Sequence, residues 1–329
     1  MSKGYQPPQG ESASNRLKYL PVLSATGKRL MPCHAARARQ LIRQRKAVKR
    51  HDRGIVYLVL TERTDGEIQP IMIGIDPGSK KEAYTVQSKQ HTFLNVQADA
   101  VTWVKEHIEI RRNMRRVRRY RKTPYRKCRP NRLQGHKRLP PSTRARWGWK
   151  VRIVRWLSRY YPIRTIVIED VAAITKPGQR RWNESFSPLA VGKAWCYDAL
   201  DRIAPVLPIS AHYTKPLREQ AGLVKSWDKT SDRWEAHCVD SFVLASYAVS
   251  GPSKPEQRQV LYLVPLRLHR RQLHRLQAQK GGKRKRYGGT SSQGLKRGSW
   301  VKHPKWGLAY VGGTVKGRIS LHEMRTGKR

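Results

Sequence analysis

Four residues in this sequence have types and settings suited to phosphate chemistry: Asp76, Glu169, His237 and Asp240. Asp76 closes the apolar run "IMIGID" and is followed at once by Pro77-Gly78-Ser79. Glu169 closes a second run, "TIVIED". A lone ionised carboxylate behind an apolar strand is costly unless a cation or a hydrogen-bond network compensates it. His237 and Asp240 stand three apart in "EAHCVDSF", so a helix puts them on one face while Val239 and Val243 turn another toward a core. Three carboxylates from separate segments, with an imidazole, suit two divalent cations. Mg²⁺ takes hard oxygen ligands and leaves positions for water and phosphate. Two such ions can clamp the attacking and leaving oxygens of a phosphodiester displacement. Each feature alone has an ordinary explanation: a turn residue before Pro-Gly, a strand-end ion pair, a helical His/Asp pair. In a chain with only 22 acids, their combination is less ordinary.

The elements that must position them follow from periodicity. Apolar strands are expected at "GIVYLVLTER", "PIMIGID" and "RTIVIEDV", with further strands at "KYLPVLS", "EAYTVQS", "TFLNVQA" and "PISAHYT". Trp147, Val151, Val154 and Leu157 give residues 143–160 one helical stripe. "AWCYDALDRIAPVL" and "DRWEAHCVDSFVLASYAVS" also read as helices. In "GKRLMPCHAARARQLIRQRKAV", Ala38, Leu41, Ile42 and Ala47 supply the apolar side of a short helix, with Arg37, Arg39, Arg43 and Arg45 around it. Strands alternating with helices predict an α/β sheet domain, and ligands of such sheets gather at strand ends. Asp170 should point away from Glu169, because side chains alternate along a strand.

The chain has 329 residues and a formal charge of +47. A charge that large favours a polyanionic partner. No apolar run is long enough to cross a bilayer, and the N-terminus lacks the apolar core of a signal peptide, so a membrane partner is not expected. Cys33, Cys128, Cys196 and Cys238 form no CxxC pair, which argues against zinc and fits a reducing, cytoplasmic setting. The segment 106–122, "EHIEIRRNMRRVRRYRK", is helix-prone with almost no apolar face. Arg111, Arg112, Arg115, Arg116, Arg118, Arg119 and Arg121 meet no acid after Glu109. Such a helix calls for phosphates around it. Residues 1–17 read as a disordered tail, and about 290–325 as a small β-barrel around Gly turns.

"GIDPGSK", "IVIEDV" and "HCVDSF" resemble the three split segments of a RuvC-type nuclease of the RNase H fold. The Arg-rich helix between the first two resembles the bridge helix of RNA-guided nucleases. "LMPCHAARARQLIRQRKAV" resembles the N-terminal PLMP module of the transposon-encoded IscB and IsrB proteins, with Arg29-Leu30 where the first Pro is expected. Glu169 and His237 are 68 residues apart, too few for an HNH nuclease beside the helices and strand already there, and no His-Asn-His pattern occurs between them. The resemblance is therefore to the IsrB family, the form without HNH.

That resemblance implies a domain order. A PLMP-type RNA-binding module (18–68) leads into RuvC segment I (69–105), the bridge helix (106–128), and RuvC segments II and III (129–250). A basic linker and target-adjacent-motif domain (251–329) follows. It implies a nickase guided by a long structured omega RNA, cutting the displaced strand of double-stranded DNA beside an adjacent motif, as a monomer in a 1:1 complex with RNA. Asp76, Glu169 and Asp240 would bind two Mg²⁺ ions, with Mn²⁺ able to substitute, and His237 would orient or deprotonate the attacking water. Arg37, Arg39, Arg43 and Arg45 would bind the RNA scaffold, and the 106–122 arginines the guide. Lys296, Arg297 and Lys316 would touch target phosphates; Trp300, Trp306 and Tyr310 would be core or rim residues of the barrel. Two other readings stay open: a stand-alone junction resolvase, which shares the metal site, and a non-catalytic binder of structured RNA, which leaves the acids unexplained.

Overall fold

The computed structural model describes residues 18–120, 139–172, 187–252, 254–265, 274–276, 284–286, 291–304, 307–324 and 329. The tail at 1–17, Arg121, Cys128 and Trp306 lie outside the described residues. The chain divides into two units, one of residues 1–101 and 139–263, the other of 102–138 and 264–329.

The first unit opens with β1 (Tyr19–Leu23), β2 (Arg29–His34), α1 (Ala35–Arg43), β3 (Ala47–Asp52) and β4 (Ile55–Leu60). Their sheet runs β2-β1-β4-β3 over a small core of Val22, Leu30, Ala38, Ala47, Leu58 and Leu60. Ala47 therefore starts a strand; it does not extend the helix expected from its spacing. The break is local. Arg45 takes a left-handed φ of 59°, and the Lys46 N–H returns to the Leu41 carbonyl at 2.9 Å, closing the helix end.

A second sheet carries the acids. β5 (Ile71–Asp76), β6 (Lys81–Ser88) and β7 (Thr92–Asp99) form an antiparallel meander. After α2 (Val104–Tyr120) come α3 (Pro141–Leu157), β8 (Ile163–Asp170), α4 (Pro188–Asp201), β9 (Val206–Ser210), α5 (Ala211–Gln220), α6 (Trp234–Val249) and β10 (Val260–Leu263). The sheet order is β10-β7-β6-β5-β8-β9, with β8 parallel to β5, β9 to β8 and β10 to β7. The strand expected over "PISAHYT" stops at Ser210, and Ala211 begins α5.

α6 is apolar on nearly every side and is buried at Trp234 and from Ala236 to Ala245, as an all-round hydrophobic helix must be. It packs on β5 and β6. Gly74 makes the contact possible, since a Cβ there would stand 1.9 Å from the Ser241 carbonyl oxygen. On β6, the fully buried Glu82 accepts from Lys150 Nζ of α3 and from the Tyr84 hydroxyl, each at 2.6 Å. Burial pushes the Glu82 carboxyl above the ordinary carboxylate range, with Lys150 pulling against it.

The second unit contains α2 and the C-terminal strands. Arg111, Arg112, Arg115 and Arg116 are all exposed on α2, whose helical span also includes Arg118 and Arg119. A narrow stripe of Ile110, Met114 and Val117, each about half exposed, runs between the arginines. β11 (His274–Leu276) pairs with β12 (Arg284–Arg286), and β13 (Ser291–Ser292) with β14 (Leu295–Lys296). β15 (Trp300–His303), β16 (Gly307–Val315) and β17 (Arg318–Glu323) form an antiparallel sheet around the buried Tyr310. Among the described residues these strands form two two-stranded sheets and one three-stranded sheet. No described helix is long and apolar enough to cross a membrane.

Candidate active site

Register brings the first two acids together. Ile75 of β5 pairs with Ile168 of its parallel neighbour β8, so the next residues, Asp76 and Glu169, stand side by side on the other face of the sheet. The turn after Asp76 is tight: the Gly78 N–H returns to the Asp76 carbonyl at 3.0 Å, and a Cβ on Gly78 would meet the Lys81 carbonyl oxygen at 1.8 Å. Asp170 is turned away from this face, where Lys193 and Tyr197 of α4 hold it at 2.7 and 2.8 Å. Glu169 instead accepts from the Thr214 hydroxyl of α5 at 2.9 Å.

α6 supplies the other two residues. His237 Nδ1 faces Asp76 Oδ2 at 3.6 Å, too far for a hydrogen bond, while Nε2 lies 3.1 Å from the Lys229 carbonyl oxygen. A carbonyl only accepts, so Nε2 carries a proton, and Nδ1 is the ring nitrogen turned toward Asp76. Asp240, 3% exposed, has both oxygens engaged: Arg218 Nη1 donates to Oδ1 at 2.5 Å and Lys225 Nζ to Oδ2.

Charge crowding is the electrostatic signature of the site. Burial, and next the charge on Asp76, push the Glu169 carboxyl up to about 7; Asp240 adds to the rise, while the Thr214 hydrogen bond and Lys225 oppose it. Burial works against the charge on Lys225, but Asp240, and after it Asp76, hold its ammonium above the usual lysine range. The four residues singled out in the sequence thus lie in one electrostatic neighbourhood.

Sequence reasoning did not find Thr214, Arg218 or Lys225. Thr214 fell inside a segment expected to be a strand. The two cations carry no signal among 69 Lys and Arg.

The donor set fits a hard divalent cation in kind: two adjacent carboxylates whose repulsion a cation would relieve, facing an imidazole. It is not a closed cage. Among the described residues no three His, Cys, Asp or Glu side chains are grouped to hold a metal ion, and Asp240 is engaged by its own cations. Mg²⁺ commonly uses only one or two carboxylates, with water and substrate phosphate completing its shell. Asp76 and Glu169 suit that mode.

The other expected residues are dispersed. Arg37, Arg39, Arg43 and Arg45 are exposed on and just after α1, with Arg37 donating to Gln40 at 2.7 Å. Lys296 and Lys316 are exposed and Arg297 half-buried; Lys316 sits at a φ of 48° in the β16–β17 turn. Trp300 is half exposed and Tyr310 buried.

A family model described as "RRXRR protein" matches residues 20–181, just under half of the chain. The chain carries that string literally at Arg115-Arg116-Val117-Arg118-Arg119. No curated protein matches the sequence. Among solved structures, Thermus thermophilus RuvC in complex with a Holliday junction substrate is 14% identical, with 57% of this chain and 99% of that one covered and a TM-score of 0.29. Another Thermus thermophilus RuvC structure is also 14% identical, over 53% and 90% of the two chains, at a TM-score of 0.26.

Proposed function

We propose that the protein is a metal-dependent DNA endonuclease with one RuvC-type site on an RNase H-like sheet, guided by a structured RNA to nick the displaced strand. The observation that carries this reading is the convergence of Asp76, Glu169, His237 and Asp240 at the ends of β5 and β8 and on one face of α6, in a chain of charge +47. The Arg-rich α2 and the match to the RRXRR family model support the nucleic-acid part.

Asp76 and Glu169 would hold the divalent cation, with Asp240 contributing when Arg218 and Lys225 release it. The bound cation would supply charge stabilisation at the phosphate oxygens. His237, fixed by its Nε2–H bond to the Lys229 carbonyl, would take the proton of an attacking water at Nδ1. Arg218 and Lys225 would offer their positive charge to the incoming phosphodiester once they leave Asp240.

The test is to recover RNA bound to the full chain expressed with its native flanking DNA, then assay supercoiled plasmids carrying or lacking the matching sequence. Guided nicking that needs Mg²⁺ and disappears in Asp76→Ala supports the reading. Cleavage of branched DNA without any RNA replaces it with a junction resolvase, and RNA bound with nothing cut leaves a binding protein.

A further inference from the structure

The loop from Ala221 to Arg233, between α5 and α6, is tied to the site from two directions. The Lys225 ammonium holds Asp240, and the Lys229 carbonyl holds the His237 ring. Inner bonds stiffen it. The Ser226 N–H donates to the Glu235 carbonyl at 2.9 Å, and Asp228 Oδ1 accepts from the Thr230 N–H and hydroxyl at 2.9 and 2.6 Å. Leu223 roots its base in the apolar cluster of Trp234, Val239 and Phe242.

Between the two tethers, on this well-held backbone, Trp227 is 97% exposed, more than any other large hydrophobic residue described. Single apolar residues on a surface are common, but tryptophan is a highly buried residue type on average. What distinguishes Trp227 is its place, two residues from a group on Asp240 and two from a group on His237. Lys229 and Arg233 stand exposed in the same loop, while Lys225 is turned to Asp240. The neighbouring acids are engaged: Asp232 with Lys81, Glu235 with Arg258, and Asp228 in its own turn.

An aromatic face in a cationic frame is the means by which proteins bind single strands, stacking one base while phosphates meet the charges. Bases inside a duplex already stack on each other and offer no free face. We infer that Trp227 is a positioning residue, the platform on which an unpaired base of a single-stranded nucleic acid stacks beside the carboxylate site. This rests on the reading that the site acts on a displaced, unpaired strand, and it adds the residue on which a base of that strand stacks.

The test uses the full chain carrying Asp76→Asn, so that bound strands stay intact, and a single-stranded DNA probe containing 2-aminopurine, whose fluorescence is quenched by stacking. Trp227→Ala should weaken binding of this probe roughly five- to hundredfold and remove a component of the quenching, while Trp227→Phe keeps most of both. Affinity for a blunt duplex of the same sequence should not change, and both variants should melt with their parent because the side chain is exposed. Unchanged single-strand affinity and quenching in Trp227→Ala overturns the proposal, as does an equal loss in Trp227→Phe or an equal loss on duplex. These binding readouts do not depend on cleavage. If Asp76 proved unnecessary for activity, the nuclease reading would fail while the stacking result stood or fell separately.

Discussion

At the scale of single residues, the site is defined by an imbalance of charge. Asp76 and Glu169 share one face at adjacent register positions, whereas Asp240 is neutralised twice over, by Arg218 and Lys225. Truncating one partner of a buried ion pair leaves the other charge uncompensated, which is costly. The double variant Arg218→Met/Lys225→Met should therefore melt well below wild type in EDTA, by more than the sum of the single variants, because both cations share one carboxylate. Mg²⁺ should then raise its melting temperature more than it raises that of wild type, since a ligand that binds only the folded state stabilises it. Equal Mg²⁺ shifts in the two proteins would remove Asp240 from the proposed set of ligands. His237→Ala should lower the nicking rate roughly 10²- to 10⁴-fold, the usual weight of a general base, without altering RNA binding. The acids were legible in the sequence because a carboxylate closing an apolar strand is a conflict visible in residue types alone. Their counter-cations were not, since a paired lysine and a solvated one are written with the same letter.

At the scale of elements, the site exists because α6 lies close against β5 at Gly74. A methyl group there would meet backbone on the helix, and backbone has little room to yield. Gly74→Ala should unfold the chain or displace α6, lowering the melting temperature sharply and reducing cleavage, whereas Ala245→Gly, at the same contact, should do far less. The buried pair of β6 and α3 behaves differently. Lys150→Met should cost about 3–5 kcal/mol near neutral pH, the price of an uncompensated buried charge. The Glu82 carboxyl is already raised by burial, and without Lys150 it rises further. The charged form is then penalised only in the folded state, so the loss grows as pH climbs above the ordinary carboxylate value of 4.5 and fades as pH falls toward it. Melting curves of the variant and wild type at pH 5 and pH 8 should thus converge at the lower pH. Periodicity showed α3, α6 and the strands of the meander in advance. It misplaced Ala47 and Ala211–Thr214, where one left-handed residue or the end of an edge strand outweighs the local pattern.

At the scale of the whole molecule, the charge of +47 governs how the chain meets its partners. Arg111, Arg112, Arg115 and Arg116 stand exposed along α2 with no acid after Glu109 in that helix, so in water alone they would repel one another. Phosphates along the helix turn that repulsion into attraction, and each neutralised phosphate releases counterions. Affinity for nucleic acid should therefore fall steeply with salt, with a slope on a log–log plot that counts the contacts. Replacing those four arginines by glutamine should make the slope shallower by roughly three, at about 0.7 to 0.9 per lost phosphate contact on single- or double-stranded partners. Affinity at low salt should fall accordingly, while the nicking rate of fully bound complex should stay within a factor of about three if, as proposed, α2 holds the nucleic acid and the carboxylates act on it. The measurement is a salt titration of binding for both proteins, followed by single-turnover nicking at saturating protein. An unchanged slope would mean that α2 meets no phosphate, leaving its charge without a partner. A shallower slope with an equally large loss in the saturated rate would instead make the helix part of the chemistry, and the division between holding and cutting would have to be redrawn.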